Sequence, residues 1–480
     1  MQTSAALLID LYQLTQAQAY YLNSETDLEA SFYLHFRENP FNGGYSIACG
    51  MAQVVELIEQ FQITATDIEY LSTLKTASEA ALFQPEFLNY LSKMQLQVDI
   101  DAVPEGSLVF PNEPFLRVSG PIFQCQLLET PLLNQVGFQT LVATKAARIC
   151  DVADGPVAEF GLRRAQGPAG GIYASRAAMV GGCASTSNVE AGRLFDLPVS
   201  GTHAHSWVMA HASELEAFRA FALTQPEGCV LLVDTYDTIH GVQNAITVAH
   251  EIQARGQRLQ GIRIDSGDLA WLSKKAREML DQAGFNDVLI IASNDLDEYT
   301  IQSLRDQGAA IDSYGVGTRL ATAYETPALT AVYKLSAVRP AGQESWNPAL
   351  KVSEQLEKST LPGRLDVRRY YGDDGLITGD MIYSLDLGVT EETIIDPRDD
   401  VRRKQLPAGQ FEQLLKPLAR QGQIVWPEVS VMAARANCKA SLDSLDTTRR
   451  RLMNPHSYPV GLEPSLHSLR DRLRRQAKGL

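Results

Sequence analysis

Residues 155–340 predict an α/β fold on a parallel sheet that curls into a barrel. Three observations carry that prediction. A short apolar stretch ending in polar residues recurs, and a helical segment follows each one. The helical segments, such as DLAWLSKKAREMLDQAG and DLDEYTIQSLRDQG, begin near an acidic residue and end at glycine. Helix caps and the helix dipole favour that arrangement. The rhythm repeats seven or eight times in series, which means parallel strands. A doubly wound open sheet is the alternative. Both architectures bind ligands at the carboxyl ends of their strands.

In chain order the strand ends read VAEFGLRRA, MVGGCASTSN, VSGTHAHS, CVLLVDTYDT, GIRIDSGDL, VLIIASNDL and IDSYGVGTRL. TAVYKLSAV is read as an eighth strand that closes the set. These ends carry Arg163, Arg164, Thr202, His205, Asp234, Asp237, Arg263, Asp265, Asp268, Asn294, Asp295 and Thr318. Charged groups of both signs, converging from separate strands, favour a site over a merely polar rim.

The flanking segments read differently. AALLIDLYQLTQAQAYYL, residues 5–22, has helical periodicity, and ASFYLHFRENPF reads as a strand ending in an Asn-Pro turn. Past residue 100, VPEGSLVFPNEPFLRVSGPI suggests a small sheet of hairpins, and a long helix is expected from about Gln124 to Ala153. A polar connection spans residues 346–363. RLDVRRYYGDDGLITGDMIYSLD then reads as a hairpin turning at DDG. The expected division is an N-terminal α/β sandwich-like domain at 1–140, a barrel at 141–340, and a C-terminal segment at 341–480 that completes the sandwich and packs on the barrel.

Composition excludes several classes. The chain has 480 residues, with 57 acidic against 42 basic side chains and a formal net charge of -15. That argues against a nucleic-acid or membrane surface, where clustered Lys and Arg meet phosphates. The six cysteines show no zinc-like spacing, so reduced thiols and a cytoplasmic setting are expected. Asp10 interrupts the first apolar run, and no apolar stretch of about twenty residues occurs.

The chemistry concentrates at GTHAHSW, residues 201–207, where two histidines stand beside Thr202 and Ser206. Arginines at the strand ends suit phosphate or carboxylate. Asp234, Asp265 and Asp268 suit sugar hydroxyls or the waters of Mg²⁺. The GVGT loop lets backbone N–H groups approach a phosphate. Together these residues fit a phosphorylated sugar with a metal ion.

The ordered set LLIDLYQLTQAQAYY, EFGLRRAQGP, GTHAHSW, VDTYDT, GIRIDSGDL, IIASNDLDE, YGVGT, VYKLSA and KVSEQLEKSTLPG resembles the nicotinate phosphoribosyltransferases. The resemblance implies an irregular barrel of the type II phosphoribosyltransferase kind, with a sandwich-like domain from both chain ends. It implies synthesis of nicotinate mononucleotide and pyrophosphate from nicotinate and 5-phosphoribosyl 1-pyrophosphate. The reaction is coupled to ATP and belongs to NAD salvage. It further implies Mg²⁺ as cofactor, ATP as co-substrate, and a homodimer in which Tyr12 reaches a neighbouring subunit's site. The family's phosphorylated histidine falls on His205, with His203 at a variable position. Nicotinate binding falls on Tyr12, Thr202 and Arg263, and the phosphoribosyl end on Thr318, Gly315 and Gly317. Arg163, Arg164, Asp234 and Asp265 are further site residues, and no metal ligands are assigned. The rival readings are a nicotinamide phosphoribosyltransferase, a quinolinate-type decarboxylating enzyme, and a non-catalytic phosphosugar-binding barrel.

Overall fold

The computed structural model describes residues 4–225, 227–352 and 360–479. Residues 353–359 of the polar connection therefore lie outside the described part. The chain divides into two compact units. One comprises residues 142–327 and 430–435; the other comprises residues 1–141, 328–429 and 436–480.

The first of these holds six strands: β1 (Val157–Glu159), β2 (Ser185–Thr186), β3 (Cys229–Leu232), β4 (Leu259–Ile264), β5 (Leu289–Ser293) and β6 (Ser313–Val316). They form one sheet in the order β2-β1-β6-β5-β4-β3, and every pairing is parallel. The strands are short and largely apolar because helices cover them, as parallel sheets require. Asp237, Asp268 and Asp297 cap the helices Thr238–Gln253, Leu269–Gln282 and Glu298–Asp306, each accepting a backbone N–H from the first turn.

The sheet is curled but open, since β2 and β3 are its two edges. Two expectations are corrected here. TAVYKLSAV does not close the barrel: Ala331–Arg339 lies in the other unit, antiparallel to Glu29–Phe36. VSGTHAHS forms no strand beyond a single bridge between Val199 and Thr186.

The second unit is a sandwich. Its seven-stranded antiparallel sheet includes Glu29–Phe36, an interior strand buried along almost its whole length. Its six-stranded sheet includes Leu365–Tyr371 and Ile377–Ser384, the hairpin expected at DDG. Phe32, Leu34 and Val118 of one sheet share a core with Val367, Ile382 and Leu462 of the other. Both chain ends therefore contribute to one sandwich core. The expected first helix is interrupted at Asp10, whose carboxylate and Gln13 make a capping box, so the α-helix runs Leu11–Leu22. The long helix divides into Ile122–Leu127 and Glu129–Val152. Among the described residues no helix is long and apolar enough to cross a membrane.

Candidate active site

His203 and His205 have opposite surroundings. The His203 ring is buried edge-on against Phe221 and accepts the Leu232 backbone N–H at Nε2, 3.1 Å away. Its proton therefore sits on Nδ1, facing the Ala204 carbonyl at 3.4 Å. Burial, with help from Arg263 and His205, holds its pKa below the ordinary value. His203 thus pins the loop to the end of β3.

His205 opens the short helix His205–Met209, and its side chain is 40% exposed. Nε2 lies 3.1 Å from Oδ1 of Asp234, whose side chain is fully buried. The carboxylate fixes the proton on Nε2 and leaves a lone pair on Nδ1. The other oxygen of Asp234 accepts the Asp265 N–H at 3.0 Å and the Ser266 hydroxyl at 2.6 Å.

Arg263 ends β4. Nε donates to the Ser293 hydroxyl at 2.7 Å, one terminal nitrogen donates to Thr202 Oγ1 at 3.1 Å, and the other donates to Asp265 Oδ1 at 2.8 Å. A guanidinium has five N–H groups. One therefore remains on each terminal nitrogen for a ligand carboxylate. Burial works to raise the pKa of Asp265, but the Ser293 hydroxyl and Arg263 outweigh it and hold that carboxyl below its usual range.

Thr202, His205, Asp234, Arg263 and Asp265 thus share one hydrogen-bonded cluster. Gly315 joins it through register, because it pairs with Ser293. A Cβ on Gly315 would lie 2.8 Å from the Phe160 ring, and that ring faces the Arg263 guanidinium at 5.7 Å. Gly317 and Thr318 follow, with Thr318 opening the helix Thr318–Ala321. Arg163 and Arg164 are exposed in the turn after β1, the strand beside β6.

Other expected residues lie apart from the cluster. Asp237 and Asp268 act as helix caps, and Asn294 and Asp295 are exposed past the end of β5. Tyr12 belongs to the sandwich unit, where burial and then Glu129 push its pKa up to about 12.

Sequence reasoning missed Ser293, Ser266 and Phe160. Serine at a strand end carries little signal by itself; only the register beside Gly315 and Arg263 gives Ser293 its place. It also missed Glu159, a fully buried carboxylate that accepts from Ser175, Thr186 and the Gly161 N–H and holds the turn after β1.

The cluster's carboxylates fit a hard cation only in part. Both oxygens of Asp234 are engaged, as is Oδ1 of Asp265. Asp265, with only Oδ1 engaged, is the cluster carboxylate that could take a hard cation.

The profile for the nicotinate phosphoribosyltransferase (NAPRTase) family matches residues 156–374. Those for the family's N-terminal and C-terminal domains match residues 7–137 and 365–470. The nicotinate phosphoribosyltransferase of Bacillus subtilis is 41% identical over 96% of this chain and 93% of its own. The human protein of that name is 35% identical over 96% and 95%. A crystal structure of human nicotinic acid phosphoribosyltransferase superposes with a TM-score of 0.84 at 32% identity, covering 97% of this chain and all of that one. A nicotinate-nucleotide pyrophosphorylase structure from Pyrococcus furiosus, 22% identical with a TM-score of 0.69, shares the fold. On the strand-end cluster, the paired units and these likenesses together, the chain belongs to the nicotinate phosphoribosyltransferase family.

Proposed function

We propose that this chain joins nicotinate to 5-phosphoribosyl 1-pyrophosphate, giving nicotinate mononucleotide and pyrophosphate in NAD salvage, with ATP hydrolysis coupled through His205. The observation that carries this reading is the Arg263 fork, held on three sides yet keeping one N–H on each terminal nitrogen. A pyridine carboxylate satisfies that fork; a neutral amide leaves a charged donor without an anion, so the acid is preferred.

The pyridine nitrogen forms a bond to the anomeric carbon while the bond to the pyrophosphate oxygen breaks. The transition state has oxocarbenium character, as in glycoside chemistry. Arg263 and Thr202 hold the carboxylate, so the nitrogen is aligned before attack. Backbone N–H groups about Gly315, Gly317 and Thr318 suit the 5-phosphate, and Arg163 and Arg164 suit the pyrophosphate. Asp265 would help hold Mg²⁺, which when bound would supply charge neutralisation for the departing pyrophosphate. Tyr12 is proposed to serve a neighbouring copy in a homodimer, and the cytoplasm is the proposed location.

Nδ1 of His205 is the nitrogen with the free lone pair and is the proposed acceptor of the γ-phosphoryl group of ATP. The N–P bond forms as the bond to ADP breaks, and water later cleaves it to phosphate. Asp234 keeps the ring oriented throughout. The added charge and acceptor oxygens alter substrate affinity at the same rim.

The test follows ADP and mononucleotide together, with and without ATP, in the wild type and in His205→Ala. The variant is expected to retain slow transfer and lose ATP stimulation. Full stimulation in the variant rejects the phosphohistidine assignment, and no mononucleotide from the wild type rejects the activity.

A further inference from the structure

Thr318–Ala321 is a single helical turn, too short to hold its own shape in water. The chain leaves it through Ala323 in the left-handed region, at a φ of 46°. That conformation is unfavourable for alanine and persists only where the surroundings hold it. The turn after β6 therefore depends on anchors outside itself. The Tyr324 N–H closes the return on the Arg319 carbonyl at 3.2 Å and brings Glu325 toward the Arg319 side chain.

Those two side chains belong to a row of alternating charges. Arg148 Nε lies 2.8 Å from one oxygen of Glu298, and Lys145 Nζ lies 2.6 Å from the other. Lys145 also donates to Glu325 Oε2 at 2.5 Å. Glu325 Oε1 lies 3.7 Å from Arg319 Nη1, and that same nitrogen lies 3.1 Å from Oδ2 of Asp297. The other oxygen of Asp297 caps the helix after β5, accepting the Thr300 N–H at 2.7 Å. Three cations meet three carboxylates, so the row is neutral as a whole. Arg148, Glu298 and Lys145 are buried, and the row reaches solvent at Glu325 and at Arg319, the residue after Thr318.

Replacing buried ion pairs by packed apolar groups is often neutral, so stability alone does not call for such a row. Its geometric effect is definite: it ties the turn after β6 to the helix Glu129–Val152 and to the cap of the helix after β5. Backbone N–H groups hold a phosphate only where they converge, and a displacement of about 1 Å in a positioned group can cost up to about 100-fold.

We propose that Glu325 and Arg319 are positioning residues for the phosphoribosyl substrate: anchored on Lys145, they set where Gly317 and Thr318 present their N–H groups. This rests on the reading of that turn as the 5-phosphate site. Arg263, which holds nicotinate in the same reading, has its three partners outside the row. The effect should therefore fall on one substrate and spare the other.

The test is steady-state kinetics against each substrate, beside calorimetric titration with 5-phosphoribosyl 1-pyrophosphate alone, in four variants. Glu325→Ala leaves Lys145 its buried partner Glu298, so the interior charge stays paired. Arg319→Met removes the outer cation. Arg319→Lys keeps it, and an ammonium can make both contacts because they use one terminal nitrogen. Asp268→Ala removes a helix cap in the same unit and reports what lost stability does by itself. Glu325→Ala and Arg319→Met should each raise the KM and the Kd for 5-phosphoribosyl 1-pyrophosphate about tenfold, with kcat and the nicotinate KM within about twofold of wild type. Arg319→Lys and Asp268→Ala should stay near wild type for both substrates. An unchanged phosphoribosyl KM in Glu325→Ala and Arg319→Met overturns the proposal, as does an equal rise of both KM values or a failure of Arg319→Lys to restore the wild-type value. A wild type that binds 5-phosphoribosyl 1-pyrophosphate and makes no mononucleotide rejects the catalytic reading, and the Kd values then decide this one. A wild type that does not bind it rejects both.

Discussion

Arg263 has three N–H groups fixed by Thr202, Ser293 and Asp265, so its orientation is set before any ligand arrives. Arg263→Ala is expected to raise the nicotinate KM by about 100-fold, the loss of two charge-assisted hydrogen bonds. Arg263→Lys should recover little of it, because an ammonium lacks the planar fork. Steady-state kinetics against nicotinate checks both, and an unchanged KM in Arg263→Ala removes the role. His203 gives a different signal. Its folded pKa is depressed, so below pH about 6.5 the unfolded chain binds more protons than the folded one. The stability His203 contributes is therefore complete above that pH and is lost as the pH falls toward the folded pKa. His203→Ala should cost about 1–3 kcal/mol by orphaning the Leu232 N–H. It should also flatten the slope between pH 7.5 and 5.5 in denaturant melts. Two histidines with a single residue between them are alike as letters, and only the ring partners separate a loop anchor from an exposed acceptor.

At the scale of elements, the strand–helix rhythm was legible because parallel strands under helices are short and apolar and their helices need caps. The same rhythm misled where a rim residue and a cap look alike. The sequence places Asp268 with the ligand-facing carboxylates, yet its side chain accepts the Trp271 N–H at 3.0 Å. Asp268→Ala should therefore lower stability by about 1 kcal/mol and leave both substrate KM values unchanged. Thermal melts beside kinetics decide it; a raised KM would return Asp268 to the site. Gly315 behaves in the opposite way. Its missing side chain lets β6 sit against Phe160, and Phe160 lies beside Arg263. Gly315→Ala should displace that ring, costing about 1–3 kcal/mol from overpacking and raising the nicotinate KM with it. TAVYKLSAV went to the wrong sheet for a related reason. Its apolar alternation suits either a barrel or an antiparallel strand, and its partner, Glu29–Phe36, lies some three hundred residues earlier. Local pattern carries no record of such pairing.

At the scale of the molecule, a chain of net charge -15 holds several of its cations in buried pairs, and none of these was legible from spacing. In the unit with the parallel sheet, Lys145 lies 2.6 Å from Glu298, and Arg148 lies 2.8 Å from the other oxygen of the same carboxylate. In the sandwich, Arg369 is paired with Asp380 at 2.6 Å and approaches Glu113 at 3.7 Å, while Tyr458 donates to Asp380 at 2.8 Å. The partners lie at positions 113, 369, 380 and 458, so only the folded sandwich assembles them. All four are buried. Burial, then the nearby Asp380, raises the Glu113 pKa well above its usual range, and Arg369 is the opposing influence. Arg369→Met keeps much of the volume and removes the cation, leaving the buried Asp380 carboxylate without its counter-charge. The expected cost is about 3–5 kcal/mol, the range for breaking a buried pair on one side. The double variant Arg369→Met/Asp380→Leu should recover a substantial part of it, because the charge left behind is then gone as well. Denaturant melts of the two variants beside the wild type measure the coupling. A double variant no more stable than Arg369→Met would show that Arg369 acts through packing on Phe110, whose ring it faces at 5.4 Å, and not through charge.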